Sequence, residues 1–146
     1  MATECLFCRI ATRAVVADVV HEEEHLLAFL DIHPIRPGHV LIVPKRHFDY
    51  FEDAPAGIAA SIVALGQRLA RVMKQIYRVP QVGFLFAGSD IPHVHAHLVP
   101  MHEKTDLTSR HYIVERTLTF VETPRAPGRE LAETAALLAG ALRAAG

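Results

Sequence analysis

The chain has 146 residues, of which 51% are apolar and 21% are charged, and its formal net charge is -1 at pH 7. This length fits one compact domain, and the near-neutral charge excludes a broad basic surface for nucleic acid. We find no apolar run near the roughly 20 residues that span a bilayer, and the first residues lack the basic flank and apolar stretch of a secretory signal. We therefore expect a cytoplasmic protein whose partners include neither nucleic acid nor a membrane.

The first part of the chain predicts short strands separated by turns. Residues 5–11 indicate a turn or a short helix. Apolar, β-branched segments then predict three strands, over residues 15–20, 26–30 and 39–44. An acidic turn at 22–24 separates the first two strands, and a loop with two prolines and a glycine, residues 31–38, separates the next two. Pro44 is expected to end the third strand.

A long amphipathic helix is predicted next. Apolar side chains recur at spacings of three and four residues from Ile58 to Ile76, which is the period of one helical face. Asp53 is expected to cap the start of this helix, with Pro55 in its first turn, and Pro80 marks its far end. A strand over 82–86, a turn over 87–90 and a strand over 94–99, ended by Pro100, are predicted to follow.

The C-terminal part predicts a loop over 101–110, and then β-branched residues between Tyr112 and Val121 that favour a strand unless packing overrides them. Pro124 and Pro127 form a linker into a helix over 130–145. The apolar face of that helix is formed by Leu131, Ala135, Leu138 and Leu142. This order indicates an α+β domain with a mainly antiparallel sheet of about five strands, one long helix and a C-terminal helix. We expect the main domain to cover 1–123 and the linker and helix, 124–146, to pack on it.

Three histidines alternate with apolar residues in the segment His93-Val94-His95-Ala96-His97. In a strand they would share one face, with Val94, Ala96 and Leu98 on the other, apolar face. Neighbouring histidines would lie about 6.6 Å apart, so one metal would not comfortably reach all three. Such a row suits an extended anion, and imidazole can act as nucleophile, acid or base near pH 7. A solvated strand face that is merely rich in histidine is the alternative.

This segment resembles the motif of the histidine triad (HIT) family, in which histidines alternate with apolar residues. Two further blocks match that family in content and order, Phe29-Leu30-Asp31-Ile32 and the segment from Pro37 to His47. Cys5-Leu6-Phe7-Cys8 matches the N-terminus of bacterial members. The resemblance covers residues 4–101 and implies the HIT fold, with residues 1–123 as the HIT domain. It also implies a homodimer joined through the long helix and the sheet edge.

The resemblance implies a nucleotide hydrolase or nucleotidyl transferase that acts at an α-phosphate and releases AMP. Its expected substrates are purine nucleotides or dinucleotides, such as dinucleoside polyphosphates or nucleoside phosphoramidates. His95, the middle histidine, would attack phosphorus and carry the nucleotide covalently, while its other nitrogen donates to a backbone carbonyl. His97 would contact the phosphate oxygens, and His39 would belong to the same histidine cluster.

Nucleoside-binding residues are also implied by the resemblance. Asp31 matches the position at which relatives accept hydrogen bonds from the ribose hydroxyls, with an ordinary loop or capping role as the alternative. The positions that match the wall of the base pocket are Phe7, Ile10, Phe29 and Ile32. Plain core packing is the alternative for these apolar side chains.

The loop before the triad departs from the family. Many members have a longer glycine-rich segment that ends in Gln-Ser or Gln-Thr, whereas this chain has Ala87-Gly88-Ser89-Asp90. Ser89 is expected to supply a hydroxyl to the phosphate. Asp90 stands where the usual hydroxyl would align, and a carboxylate beside a phosphate is unfavourable.

Cys5 and Cys8 are the two cysteines of the chain, so a disulfide framework is excluded. By themselves they fit a redox pair, half of a zinc site or two buried small residues, although a thioredoxin-like pair would need a strand before Cys5. The resemblance implies zinc, held in bacterial relatives by residues that match Cys5, Cys8, His47 and His93. Such a zinc would be structural, joining the N-terminus to the triad strand.

Two other functions stay open from the sequence. The altered loop before the triad favours a regulatory module that binds nucleotides and turns them over slowly. A zinc hydrolase that uses His93 and His95 as a catalytic pair is a further alternative, although it lacks a clear third ligand.

Overall fold

The computed structural model describes residues 5–108, Val114, Thr117 and residues 122–146. The strand expected between Tyr112 and Val121 lies outside the described residues, apart from those two positions. In chain order the elements are α1 (Leu6–Ala11), β1 (Val19–Glu22), β2 (Leu26–Leu30), β3 (Val40–Pro44), a 3-10 helix (Phe51–Asp53), α2 (Ala56–Tyr77), β4 (Gln81–Phe86), β5 (Ala96–Met101) and α3 (Gly128–Ala145).

The five strands form one antiparallel sheet in the order β1-β2-β3-β5-β4. This arrangement confirms the predicted α+β fold. β5 lies between β3 and β4, and its residue His97 is paired with Leu41 on one side and with Leu85 on the other. The last triad histidine is therefore fixed by backbone pairing on both sides.

The alternation of side chains divides the core between the two faces of the sheet. Leu26, Ala28 and Leu30 of β2 pack with α2 and α3 in the larger cluster, whereas Leu27 and Phe29 pack with α1 in the smaller one. Leu41 and Val43 of β3 face α1 as well, which puts the paired His97 on the same side of the sheet. The histidine-bearing face is therefore the one that α1 covers.

Both long helices bury the apolar stripes predicted for them. α3 buries Leu131, Ala135, Leu138 and Leu142 in the larger cluster. α2 is long and apolar enough, by length and composition alone, to cross a membrane. The buried residues of α2 are Ile62, Leu65, Gly66, Leu69, Val72 and Met73. Most of these side chains belong to the core between helix and sheet, so packing within the domain explains why this face of α2 is apolar.

Several predicted boundaries were wrong. Asp53 does not cap α2, because it lies in the 3-10 helix and its carboxylate accepts the Tyr50 backbone N–H, 3.2 Å away. Pro44 is the last residue of β3, as predicted, whereas Pro100 lies inside β5, which continues to Met101. Each proline is tolerated because the pairing of β3 with β5 covers only Val40–Ile42 and Ala96–Leu98, so a proline beyond it has a partner strand on one side only.

Candidate active site and zinc site

His95 lies immediately before β5, and its side chain is buried. Its Nδ1 lies 2.7 Å from the backbone carbonyl of His93. Because a carbonyl only accepts, the proton is on Nδ1 and the lone pair is on Nε2. Within the described part of the chain, no hydrogen bond involves Nε2. The hydrogen bond at Nδ1 thus fixes the orientation of the ring, and the Nε2 lone pair has no protein partner among the described residues.

Gly88 covers the free nitrogen of His95. A Cβ at Gly88 would lie 2.3 Å from both Nε2 and Cε1 of His95, and the φ of Gly88 is +148°. Any other residue would meet the ring and would also adopt an unfavourable backbone conformation. Glycine therefore allows the loop before the triad to approach the reactive edge of the imidazole.

His39 and His97 form a chain of hydrogen bonds with a defined direction. The backbone N–H of Ile35 donates to His39 Nδ1 over 3.2 Å, so the His39 proton is on Nε2. This Nε2 donates to His97 Nδ1 over 2.9 Å, and His97 Nε2 donates to the carbonyl of Ala87 over 2.9 Å. Both imidazoles are therefore neutral with fixed tautomers.

Burial keeps this cluster uncharged. It lowers the pKa of His39 to about 4, an effect that the nearby Asp31 carboxylate opposes and His97 and His95 reinforce. Burial also lowers the pKa of His97 and that of His93. At neutral pH these side chains offer lone pairs and N–H donors without a net charge.

Asp31 lies at the far end of the histidine cluster. One of its carboxylate oxygens accepts the His33 backbone N–H at 2.8 Å, and the other lies 3.7 Å from His39 Nε2. Phe7 and Phe29 are buried with their ring centroids 5.5 Å apart, and Phe7 also meets the His95 ring edge-on at 5.0 Å. Ile10 is buried in the same cluster, whereas Ile32 is 41% exposed.

Cys5, Cys8, His47 and His93 meet on the other side of the triad. Their sulfur and nitrogen ligand atoms all lie within 4.8 Å of one another. His93 Nδ1 lies 3.4 Å from Cys5 Sγ and 3.5 Å from Cys8 Sγ, and His47 Nδ1 lies 3.3 Å from Cys8 Sγ. The structure therefore brings together all four residues expected to bind zinc.

The outer nitrogens of both histidines fit a zinc site. His47 Nε2 lies 2.8 Å from Asp49 Oδ1, and His93 Nε2 lies 2.9 Å from the carbonyl of Pro44. These acceptors hold the protons on Nε2, which leaves both Nδ1 lone pairs directed at the cysteines. Two thiolates and two such imidazoles are a tetrahedral zinc donor set.

Cys8 is protonated at neutral pH when no metal is bound. Burial, helped by Cys5, raises the pKa of Cys8 to about 11. Since zinc binds thiolates, its binding must release the proton of Cys8, so zinc affinity is expected to rise with pH.

Asp31, His39 and His97 also have ligand atoms within 4.8 Å of one another. A metal there would need a lone pair on His39 Nε2, yet that nitrogen carries the proton donated to His97. Hydrogen bonding therefore disfavours this second site. Among the residues that the structure describes, neither candidate cluster includes His95, so a catalytic zinc shared by His93 and His95 is not supported.

A cavity of about 150 Å³, open to solvent, lies beside His95. It is lined by Asp49, Tyr50, Phe51, Glu52, Phe86, Ala87, Gly88, His93, Val94 and His95. Ser89 and Asp90 are exposed and are not part of this lining. The predicted hydroxyl donor thus lies in the loop over the triad, beside Gly88, but outside the cavity wall.

The three triad histidines do not form the flat row that strict alternation predicts. β5 starts at Ala96, so His93 and Val94 precede the regular strand. His93 is fully buried between the cysteines and Pro44, and Val94 lines the cavity. The backbone N–H of Val94 donates to the Phe48 carbonyl over 2.8 Å, which ties this segment to the loop after β3.

Sequence reasoning missed the supporting residues of both sites. Asp49 follows His47 by two positions, a spacing that puts a carboxylate within reach of an imidazole, but the pattern is too common to be diagnostic. Tyr50, Phe51 and Glu52 carried no signal for a cavity wall. The carbonyls of Pro44 and His93 are backbone groups, which no residue pattern reveals.

Comparisons with known proteins agree with this geometry. The family model described as the HIT domain matches residues 12–104. A HIT-like protein of Methanocaldococcus jannaschii is 36% identical over 103 residues, covering 68% of this chain and 80% of that protein. The adenosine 5'-monophosphoramidase of Saccharomyces cerevisiae is 35% identical over 101 residues, covering 68% of this chain and 64% of the yeast protein.

A solved structure extends the likeness to the whole chain. The crystal structure of a zinc-bound histidine triad family protein from Mycobacterium smegmatis superposes with a TM-score of 0.77 at 29% identity, covering 99% of this chain and 96% of that one. The family model alone spans more than half of the chain. The motifs, the fold and these matches agree, and the chain is a member of the HIT family.

Proposed function

We propose that the protein is a hydrolase and nucleotidyl transferase that acts at the α-phosphate of purine nucleotide derivatives and releases AMP. The observation that carries this proposal is the state of His95. Its Nδ1 proton is held by the His93 carbonyl, and its Nε2 lone pair points to the loop that borders the cavity. A neutral imidazole held in this way is an activated nucleophile.

In the first step, the Nε2 lone pair of His95 forms a bond to the α-phosphorus, and the bond from phosphorus to the leaving group breaks. The leaving group keeps the bonding pair and, when it is an amine, takes a proton from solvent. A water oxygen then attacks phosphorus, the N–P bond breaks, and Nε2 recovers its lone pair while the water loses a proton to solvent. The charge that the ring carries between the steps is stabilised by the hydrogen bond to His93.

The other predicted residues have positions that support their roles. His97 lies beside His95, with ring centroids 4.9 Å apart, and its Nε2–H, which donates to the Ala87 carbonyl, is the donor that would turn to the phosphate oxygens of a bound substrate. His39 holds the His97 tautomer through their 2.9 Å hydrogen bond. Asp31 lies beyond His39 in this series of side chains and keeps a carboxylate oxygen available for the ribose hydroxyls. We assign Ser89 to the phosphate as a hydroxyl donor from the loop.

The base would pack beside Phe7, Phe29 and Ile32. Ile32 has the exposure that a ligand contact needs, while Phe7 and Phe29 sit deeper and join this region to His95. The yeast relative's name, adenosine 5'-monophosphoramidase, supports a purine nucleotide and a bond from phosphorus to nitrogen. Dinucleoside polyphosphates are the other substrate class to be tested.

Zinc has a structural role in this proposal. Cys5, Cys8, His47 and His93 would hold it, and the zinc-bound relative from Mycobacterium smegmatis supports the assignment. When bound, zinc supplies a four-ligand crosslink between α1 and the segment before β5. His93 then keeps its carbonyl directed at His95 while its side chain faces the cysteines.

We also propose a homodimer that forms through α2 and the edge strand β4. Among the described residues β4 is the outermost strand of the sheet, and it carries the exposed side chains Phe84 and Leu85. The exposed Val63 of α2 precedes Gly66 by three residues, on the same side of the helix. Gly66 of α2 lies against Phe84, so the two elements present a continuous apolar surface. Light scattering on the protein and on Val63→Lys tests this, because a charge on this surface should shift dimer to monomer.

Intact-mass spectrometry after brief mixing with an adenosine phosphoramidate or a diadenosine polyphosphate tests the proposed activity. We expect a transient adduct of one AMP and free AMP as product. His95→Asn should abolish both while keeping the thermal stability, and the matched variant of an exposed histidine, His25→Asn, should retain them. Continued turnover in His95→Asn contradicts the proposal. An adduct that forms but is not released would favour the slow-turnover nucleotide-binding module instead.

A further inference from the structure

The cavity beside His95 has an unusual charge for a site next to a phosphate. The ten described residues that line it include two carboxylates, Asp49 and Glu52, and neither lysine nor arginine. We propose that this cavity holds the leaving group of the substrate and selects a positively charged amine over an anionic group. The inference rests on the proposed function of His95 and specifies which substrates that site prefers.

The position of the cavity separates it from the expected nucleoside site. Asp31, His39, His97 and His95 follow one another across the sheet face, at 3.7 Å, 2.9 Å and a ring-centroid distance of 4.9 Å. The cavity lies at the His95 end of this series, and its lining excludes the other three residues. With ribose at Asp31 and phosphorus at His95, the remaining substituent of the phosphorus extends into the cavity.

His95 itself shows that the cavity leads to a reactive group. Its side chain is 7% exposed, its Nε2 has no hydrogen-bond partner among the described residues, and the glycine that this nitrogen faces is part of the cavity wall. An imidazole lone pair that has no protein partner and lies beside a cavity is available to bond to a ligand there. This observation distinguishes the cavity from a chance cluster of acidic residues.

Asp49 and Glu52 set the charge of the cavity. Asp49 already accepts a hydrogen bond from His47, which partly offsets the negative charge that Asp49 presents to the cavity. No ion pair in the described ranges involves Glu52, which is exposed at the end of the same segment. Glu52 is therefore the carboxylate with charge available to a ligand, and it would repel the extra phosphates of a dinucleoside polyphosphate.

Aromatic side chains complete the cavity for an alkyl amine. Phe51 is 52% exposed and Tyr50 is 47% exposed, and the rings of Phe51 and Phe86 lie 4.8 Å apart. Methylene groups can pack on these rings, and an ammonium group is attracted by aromatic faces. A chain of a few methylene groups that ends in an ammonium group can pack on the aromatic rings and place its charge near the Glu52 carboxylate.

Three adenosine phosphoramidates with similar reacting nitrogens test the inference. AMP is joined through nitrogen to 1,4-diaminobutane, butylamine or 4-aminobutanoate, so that the far end is cationic, neutral or anionic. We expect kcat/KM to fall in that order at low ionic strength, with about a threefold step for each charge, as one screened charge several ångströms away would give. Added salt should reduce the differences.

In Glu52→Gln the kcat/KM values of the cationic and neutral substrates should differ by no more than about twofold. In Glu52→Lys the anionic substrate should have the highest kcat/KM. Glu24→Gln removes the same charge from the exposed turn between β1 and β2, and should keep the wild-type order. Equal rates for the three substrates in the wild-type protein, or an unchanged order in Glu52→Gln, would overturn the inference while leaving the function intact. If no substrate yields AMP, the proposed function fails as well.

Discussion

His93 and His95 are joined by one hydrogen bond, although their side chains lie in two different candidate sites, the zinc site and the active site. The His93 carbonyl accepts the Nδ1 proton of His95 at 2.7 Å, while the His93 imidazole points to Cys5 and Cys8. One residue therefore belongs to the candidate zinc site through its side chain and orients the proposed nucleophile through its backbone. Zinc should affect activity by fixing this residue, without touching the substrate.

Removing zinc should lower stability more than it alters the chemistry of the folded protein. A metal present at 100 times its Kd adds about 2.7 kcal/mol to the free energy of unfolding, which corresponds to a Tm change on the order of 10 °C at this chain length. Calorimetry with and without a strong chelator measures the change. Cys8→Ser should bind less zinc and lose the response to chelator. An immediate stop of AMP release in protein that stays folded would instead favour a catalytic metal.

Asp49→Asn should weaken zinc binding without removing a ligand. The carboxylate accepts the His47 Nε2 proton at 2.8 Å, and loss of such an outer hydrogen bond typically costs about 10- to 100-fold in metal affinity. Competition with a chromogenic chelator gives the affinity. Asp53→Asn is the matched control, because Asp53 accepts only the Tyr50 backbone N–H and should leave zinc affinity unchanged. Equal affinities in the two variants would refute the role of Asp49.

Gly88→Ala should inactivate the protein while leaving it folded. The new Cβ would lie 2.3 Å from His95 Nε2, so the ring or the loop must move, and a misplacement of about 1 Å can cost about 100-fold in rate. Steady-state AMP release and the melting temperature separate the two effects. Gly57→Ala, where a Cβ meets nothing within 4 Å, should retain full activity. Near-normal kcat in Gly88→Ala would show that Nε2 is not the reacting atom.

His39 should make the protein less stable in mild acid. Its pKa is about 4 in the folded protein and about 6.5 when unfolded, so the unfolded chain binds the proton more tightly. This contribution to stability is complete above pH 6.5 and is lost as the pH falls toward 4, by at most on the order of 3 kcal/mol.

Urea unfolding at pH 7 and pH 5 measures the loss for the wild-type protein and for His39→Gln. The variant should show a smaller decrease between the two values, although it is less stable at pH 7 because the hydrogen bond to His97 is weakened. His25→Gln, at an exposed position, should follow the wild-type curve. Parallel curves for wild type and His39→Gln would contradict the assigned pKa shift.

Much of the fold followed from local patterns. The spacing of Leu131, Ala135, Leu138 and Leu142 predicted the buried face of α3, and the three- and four-residue repeats predicted α2. Ends of elements were harder to predict, because a proline is tolerated wherever one side of its strand has no partner. Pro100 occupies such a position inside β5, and only the register of β3 against β5 reveals it.

The site followed from residue types in part. The three alternating histidines were recognised from the sequence pattern, whereas the four zinc-site residues were implied only by the resemblance to the HIT family. Strict alternation predicted a row of three imidazoles on one face, yet the chain bends before Ala96 and turns His93 away. The direction of the His39–His97 hydrogen bond depends on the backbone N–H of Ile35, which donates to His39. A pattern of residue types does not reveal such a backbone donor.

By itself the sequence determined which chemical groups the molecule has and which faces of its elements are apolar, because periodicity and side-chain chemistry are local properties. The tertiary structure alone decided which nitrogen of each imidazole is free, that Gly88 covers His95, and that Glu52 lies on the wall of the same cavity. These properties depend on backbone groups and on segments far apart in the chain, which are brought into contact only when the sheet and helices pack.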